Sequence, residues 1–165
     1  MRLEKYLILN KYLLSLFGVH SISDLREELK NKQEGFDNDG RSFFVDTLIG
    51  LENLKIDPND FLQYDGAIKE YSERLSKHRR ENIVLKYFQY LAILFAEIYL
   101  DRYFNRKQEL IFDLNSFLES YNQSERTEIS LFENKDLKKL AYWMATGSGK
   151  TLIMHINYWQ FLKYN

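Results

Sequence analysis

The chain has no cysteine, which excludes a disulfide scaffold, a thiolate metal centre and a cysteine nucleophile at once. Proline occurs once and glycine seven times in 165 residues, so little interrupts long helices. Neither sign of charge dominates: 23 Lys and Arg stand against 24 Asp and Glu, a formal net charge of −1. The chain as a whole therefore lacks the cationic excess that displaces counterions from nucleic-acid phosphates. Long hydrophobic runs are missing too. The most apolar stretch, 83–100, contains Lys86, Gln89 and Glu97. Its longest charge-free run, 87–96, falls well short of the ~20 residues of a bilayer helix. The apolar N-terminus is broken by Glu4, Lys5, Asn10 and Lys11, and no small-residue cleavage site follows as in a signal peptide. No membrane contact and a cytoplasmic location are the expectation.

What remains is a globular composition of 45% apolar and 28% charged residues, with 12 Tyr, 12 Phe and 2 Trp as packing mass. The length suits one ordinary domain. Helical periodicity begins at Leu3, Tyr6, Leu7, Leu13, Leu14 and Phe17, with Gly18 placed to end the helix in a left-handed cap. Ser21 and Ser23 can cap a second helix through Leu25 and Leu29. The cluster 35–40 reads as a turn, and Phe43, Phe44, Leu48 and Leu51 restore a helical stripe. Asp57-Pro58 is a strong start signal for a helix to about Arg79. Further helices are expected over 81–104 and 107–121, with a polar loop at 122–128.

The pattern changes near Leu137. Leu140-Ala-Tyr-Trp-Met144 is a short apolar run, which periodicity alone assigns to neither strand nor helix. After it come Thr146-Gly-Ser-Gly-Lys-Thr151 and then Leu152, Ile153, Ile156, Trp159 and Leu162 at helical spacing. Strand, glycine-rich turn and helix is the layout of a phosphate-binding loop, and makes 140–144 the expected strand. Phosphates need donors at close range. Gly147 and Gly149 let backbone N–H groups converge with no Cβ in the way, and the helix start adds its positive dipole end. Lys150 supplies a cation for the β- and γ-phosphates, and the Thr151 hydroxyl is a ligand for Mg²⁺. The cradle is thus Ala145, Thr146, Gly147, Ser148, Gly149, Lys150 and Thr151. Met144 stands where the consensus loop begins with glycine.

The run Trp143-Met-Ala-Thr-Gly-Ser-Gly-Lys-Thr151 resembles motif I of superfamily-two helicases, in the form found in restriction-enzyme motor subunits. The stretches 139–164 and 85–104 resemble DEAD/DEAH-box helicase family proteins of the type III restriction class. Within the second, Leu85-Lys-Tyr-Phe-Gln89 and Ala92 are similar to the family's Leu-Arg-x-x-Gln-x-x-Ala element, with Lys86 where arginine is usual. The resemblance implies that the Gln89 amide reads the adenine edge. It also implies an ATP- and Mg²⁺-dependent DNA helicase or translocase of a restriction or defence system, with Lys150 as catalytic residue. The implied partners are DNA and modification or other defence-system subunits.

The expected architecture is mainly α: a helical N-terminal region, 1–135, followed over 136–165 by the first strand, loop and helix of a RecA-like α/β lobe. Hydrolysis in such motors needs a second acidic motif and arginines from a second lobe. The chain therefore reads as an N-terminal fragment, weakly active or inactive alone. The competing expectation is a helical protein-interaction module with a vestigial loop. Other candidates are weaker. Asp37, Asp39 and Asp46 lack the spacing of a calcium loop. Lys77-His-Arg-Arg80 reads as a solvated helix end that could touch DNA phosphates. His20, His78 and His155 look scattered, and Glu97 with Asp101 forms an i, i+4 carboxylate pair without an assigned role.

Overall fold

The computed structural model describes residues 6–142 and 144–165. It is mainly helical, with α1 Ile8–Leu16, α2 Ile22–Leu29, α3 Val45–Ile49, α4 Pro58–Arg79, α5 Tyr87–Asn105, α6 Lys107–Glu125 and α7 Lys150–Tyr164. A single 3-10 turn, Asp136–Lys138, lies between the last two. No helix among the described residues is long and apolar enough to cross a membrane.

Local chemistry sets several boundaries. Gly18, at φ +71°, ends α1; its N–H donates to the Ser15 carbonyl and that of Val19 to Leu14, the paired bonds of a Schellman cap. Ser21 and Asp24 form a reciprocal capping box on α2. Asp57 Oδ1 accepts from the Asn59 N–H at 2.8 Å and Pro58 takes the first helical position. Burial, not propensity, then selects α5 as the central helix. Tyr90, Leu91, Ile93, Leu94, Ala96, Glu97, Ile98 and Tyr99 are all buried, so α5 is enclosed by α4, α6 and α7 rather than lying on one face of a bundle. Tyr90 is held from the α4 side, its hydroxyl donating to buried Asp65, which also accepts from the Ser42 N–H. Burial first, and then the Asp65 charge, push the Tyr90 hydroxyl well above its usual range.

Three expectations change. The helix expected from 81 begins at Tyr87, because Ser72 Oγ donates to the Ile83 carbonyl and the Ile83 N–H donates to Ser76 Oγ. Those bonds staple the segment across the α4–α5 reversal in extended form. The polar residues 122–125, expected to be loop, continue α6; its end is organised by Asn122, whose Oδ1 accepts from Thr127 Oγ1 and the Ile129 N–H. The strand expected over 140–144 is absent among the described residues: Leu140, Ala141, Tyr142 and Met144 carry no ladder pairing, and Trp143 lies outside those residues. A strand exists only against a hydrogen-bonding neighbour, and none of the described residues pairs with this segment in a ladder.

Candidate nucleotide-binding site

The segment 144–149 forms an arc that delivers the chain into α7. Gly147 and Gly149 have φ of +79° and +86°, a region that costs other L-residues ~1–2 kcal/mol. Inside the arc, the Ser148 N–H and Oγ both donate to the Ala145 carbonyl, at 3.3 and 2.7 Å. Gly149 is the N-cap of α7 and offers no side-chain acceptor, so the first-turn N–H groups of the helix have no cap competing for them. Lys150 folds back over the arc and its Nζ donates to the Met144 carbonyl at 3.0 Å. A phosphate entering the arc would compete with that carbonyl for the ammonium group. Ala145, Thr146, Gly147, Lys150 and Thr151 are exposed, whereas Ser148 and Gly149 are half-buried.

The reason for that partial burial is Gln89. Its Nε2 donates to the Ser148 carbonyl at 3.1 Å, and its Oε1 accepts from the Lys86 N–H at 3.0 Å. These two partners fix the orientation of the amide, since the carbonyl needs a donor and the N–H an acceptor. A Cβ placed on Gly149 would lie 2.6 Å from Gln89 Nε2, so the glycine is what allows the amide to reach the loop. The two motifs are thus in direct contact across 59 positions of sequence. With one bond on each end, the amide keeps one N–H and one acceptor lone pair in reserve. Tyr87 and Phe88, half-buried with rings 5.4 Å apart in an edge arrangement, flank it on α5.

Three further groups emerge that sequence reasoning left unassigned. Glu97 is fully buried, its Oε2 accepting from Gln160 Nε2 at 2.7 Å and its Oε1 from Lys163 Nζ and Tyr164 hydroxyl at 2.5 and 2.9 Å. Gln160 Nε2 also donates to the Ile93 carbonyl at 2.9 Å. The signal was a glutamate inside the most apolar stretch, for which burial requires a partner. Asp101 faces elsewhere, accepting from Tyr64 hydroxyl and Asn105 at 2.7 and 2.8 Å and pairing with Arg106. Burial alone would raise its pKa, yet those donors hold the carboxyl below its ordinary value. This network borders a cavity of about 310 Å³ at the end of α5 away from Gln89. The histidines correct an expectation: His78 and His155 are not scattered, their ring centroids lying 6.3 Å apart. Trp159 packs at 5.7 Å from the first and 4.6 Å from the second, under the Arg74 guanidinium at 4.4 Å.

Among the described residues no group of three or more His, Asp or Glu side chains is arranged to hold a metal ion. Thr151, exposed one position after Lys150, offers a single hydroxyl, which fits Mg²⁺ held mainly by nucleotide oxygens and water. Comparison with family models, curated proteins and solved structures gives no match.

Proposed function

We propose that the chain binds Mg·ATP through 145–151, with Gln89 reading the base, as the ATP-binding part of a nucleic-acid motor related to restriction helicases. The observation that carries this reading is the Gln89–Ser148 hydrogen bond. Two segments singled out for separate reasons, one for phosphate and one for adenine, meet within one nucleotide's length. The spare donor and acceptor of the Gln89 amide suit adenine, which accepts at N7 and donates at N6. The backbone arc, the uncapped start of α7 and Lys150 suit the triphosphate.

A RecA-like setting is supported by the far side of α7. Met154, Tyr158, Phe161 and Leu162 are 70, 61, 45 and 53% exposed, a stripe at i, i+4, i+7 and i+8 of the kind a sheet covers in an α/β lobe. The same stripe favours a second reading, an interaction module in which a partner helix covers it and the loop is vestigial. Nucleotide binding separates the two. A fluorescent ATP analogue with Mg²⁺ should bind the chain, and Lys150→Ala should weaken it at least tenfold with the helical circular dichroism unchanged. Equal affinity in that variant, or no binding by the wild-type chain, would refute the nucleotide site.

A further inference from the structure

The segment 33–40, Gln-Glu-Gly-Phe-Asp-Asn-Asp-Gly, carries Glu34, Asp37 and Asp39 and no Lys or Arg. It folds back on itself in a single antiparallel bridge between Phe36 and Ser42. The bonds of that bridge belong to its neighbours: the Asp37 N–H donates to the Arg41 carbonyl at 2.8 Å, and the Phe43 N–H to the Gly35 carbonyl at 3.2 Å. In this pattern the bridged residues direct their own main-chain groups outward. On the Ser42 side the outward N–H is taken by Asp65, at 2.9 Å. On the Phe36 side neither the N–H nor the carbonyl has a protein partner among the described residues. One edge of the bridge is thus closed and the other open.

The open edge borders a groove of about 660 Å³, within the ~300–1,000 Å³ of ligand clefts. Its far wall is the extended chain at Ile83 and Val84. Ser72 and Ser76 take the main-chain groups of Ile83, whereas those of Val84 have no protein partner among the described residues. The two walls meet at Gly35, where a built Cβ would lie 3.6 Å from Val84 Cγ1. Apolar surface is supplied by half-buried Phe36 and Phe43 and by Val84, 43% exposed. Glu34, Asp37 and Glu73 supply negative charge. Of the two lysines in the lining, Lys69 is paired with Glu73 at 3.7 Å, which leaves Lys77 as the opposing cation. Asp39, exposed at the turn, extends the acidic side.

We infer that this groove takes up an extended basic peptide by strand addition. The peptide main chain pairs with the free groups of Phe36, its lysine or arginine side chains meet Glu34, Asp37 and Glu73, and an alternate apolar side chain covers Phe43 and Val84. Main-chain bonds then give affinity and the alternating contacts give selectivity. A second copy of the chain is a poor occupant, because the acidic edge would face itself. The acidic sign disfavours a phosphate backbone for the same reason. The peptide site is separate from the nucleotide loop and does not depend on it.

The test is fluorescence anisotropy of the full chain with a labelled hexapeptide of alternating lysine and valine, blocked at both ends. The same peptide with glutamate for lysine should bind at least tenfold more weakly. Two N-methylated forms, one methylated at its lysines and one at its valines, separate strand addition from simple attraction of charge. Successive residues of a strand turn their N–H groups to opposite edges, so one form should lose at least tenfold and the other stay within about threefold of the parent. Glu34→Gln, Asp37→Asn and Glu73→Gln together should lower affinity for the basic peptide at least tenfold. Asp37→Asn keeps an acceptor for the Arg41 N–H, which donates to Oδ1 at 2.9 Å, so the turn is preserved. A charge-matched control, Glu119→Gln, Glu125→Gln and Glu128→Gln, should bind the peptide as the wild type does. Lys150→Ala should as well, which separates failure of this groove from failure of the ATP site. No binding of the basic peptide, equal binding of the acidic one, or wild-type affinity in the triple variant would overturn the inference. Equal affinities for the two methylated forms would overturn strand addition. A dimer of the chain that the peptide displaces would assign the edge to a second copy and overturn the choice of occupant.

Discussion

Alanine at Gly147 and alanine at Gly149 should differ in cost, and the difference should depend on a residue in another helix. Both glycines have positive φ, +79° and +86°, so each substitution carries ~1–2 kcal/mol of backbone strain. Gly147 has nothing within 4 Å of a built Cβ, whereas at Gly149 the Cβ lies 2.6 Å from Gln89 Nε2. The end of a glutamine side chain moves readily, so the clash itself is relieved by rotation. What rotation surrenders is the bond to Ser148, worth ~0.5–1.5 kcal/mol. Gly149→Ala should therefore exceed Gly147→Ala by about that bond. In a Gln89→Ala background the bond is already gone, and the two glycine variants should converge. Urea denaturation of the six proteins (wild type, both glycine variants, Gln89→Ala and the two doubles) measures this as a double-mutant cycle, with a coupling of ~0.5–1.5 kcal/mol expected only for the Gly149 pair. Equal costs for both glycines beside an intact Gln89, or a gap that survives Gln89→Ala, would refute the packing of amide against loop.

Two further outcomes follow from named contacts. Gln89→Ala should weaken ATP and GTP together through the loosened loop, and in addition narrow the preference for ATP by the ~1–3 kcal/mol of one mismatched hydrogen-bonding group; competition binding with both nucleotides measures it, and an unchanged ratio would remove the adenine role. Asp101, held below its ordinary pKa by Tyr64, Asn105 and Arg106, contributes stability that is complete above the unfolded value near pH 4 and is lost as pH falls through the lower folded value. Asp101→Asn should flatten the acid limb of stability against pH in that window, and an identical acid limb would deny that this carboxylate is the group titrating.

What could be read in advance was what local chemistry decides. Asp57-Pro58 fixes the start of α4 because a carboxylate caps the Asn59 N–H and proline needs no donor; Ser21 and Gly18 act with similar independence of the rest of the molecule. The start of α5 was not legible. Ile83 and Leu85 continue an apolar pattern, and only the hydroxyls of Ser72 and Ser76, on another helix, hold the segment extended. The strand at 140–144 failed for a related reason: an apolar run becomes a strand through a neighbour, and the neighbour is a tertiary fact. The site divides along the same line. The conformations of Gly147 and Gly149 were readable from the motif, while the pairing of His78 with His155 and the burial of Glu97 depend on how α4, α5 and α7 are packed.

The α5–α7 interface carries the last prediction. Gln89, Ile93 and Glu97 are spaced at i, i+4 and i+8, so they form one stripe along α5, and each meets α7 or its loop through a polar bond: Ser148 at one end, Gln160 midway, Gln160, Lys163 and Tyr164 at the other. Around them α7 buries Leu152, Ile153 and Ile156, with Trp159 turned to His78 and Arg74 of α4. Apolar burial rewards any register that keeps the stripe covered, whereas a polar seam rewards one. A slip of one turn, about 5.4 Å, would break every polar bond and carry the loop away from Gln89. Buried polar pairs of this kind add little net stability, and apolar replacements are often neutral or stabilising by roughly 1–4 kcal/mol. Glu97→Met combined with Gln160→Leu should therefore leave the urea midpoint equal or higher, since Lys163 and Tyr164 lie near enough to the surface to turn to solvent. If register is what the seam provides, the same variant should lose affinity for the ATP analogue, and adding Gln89→Ala should then cost less than it does in the wild-type chain. A double variant with wild-type affinity and an undiminished response to Gln89→Ala would mean that apolar packing alone sets the position of the loop.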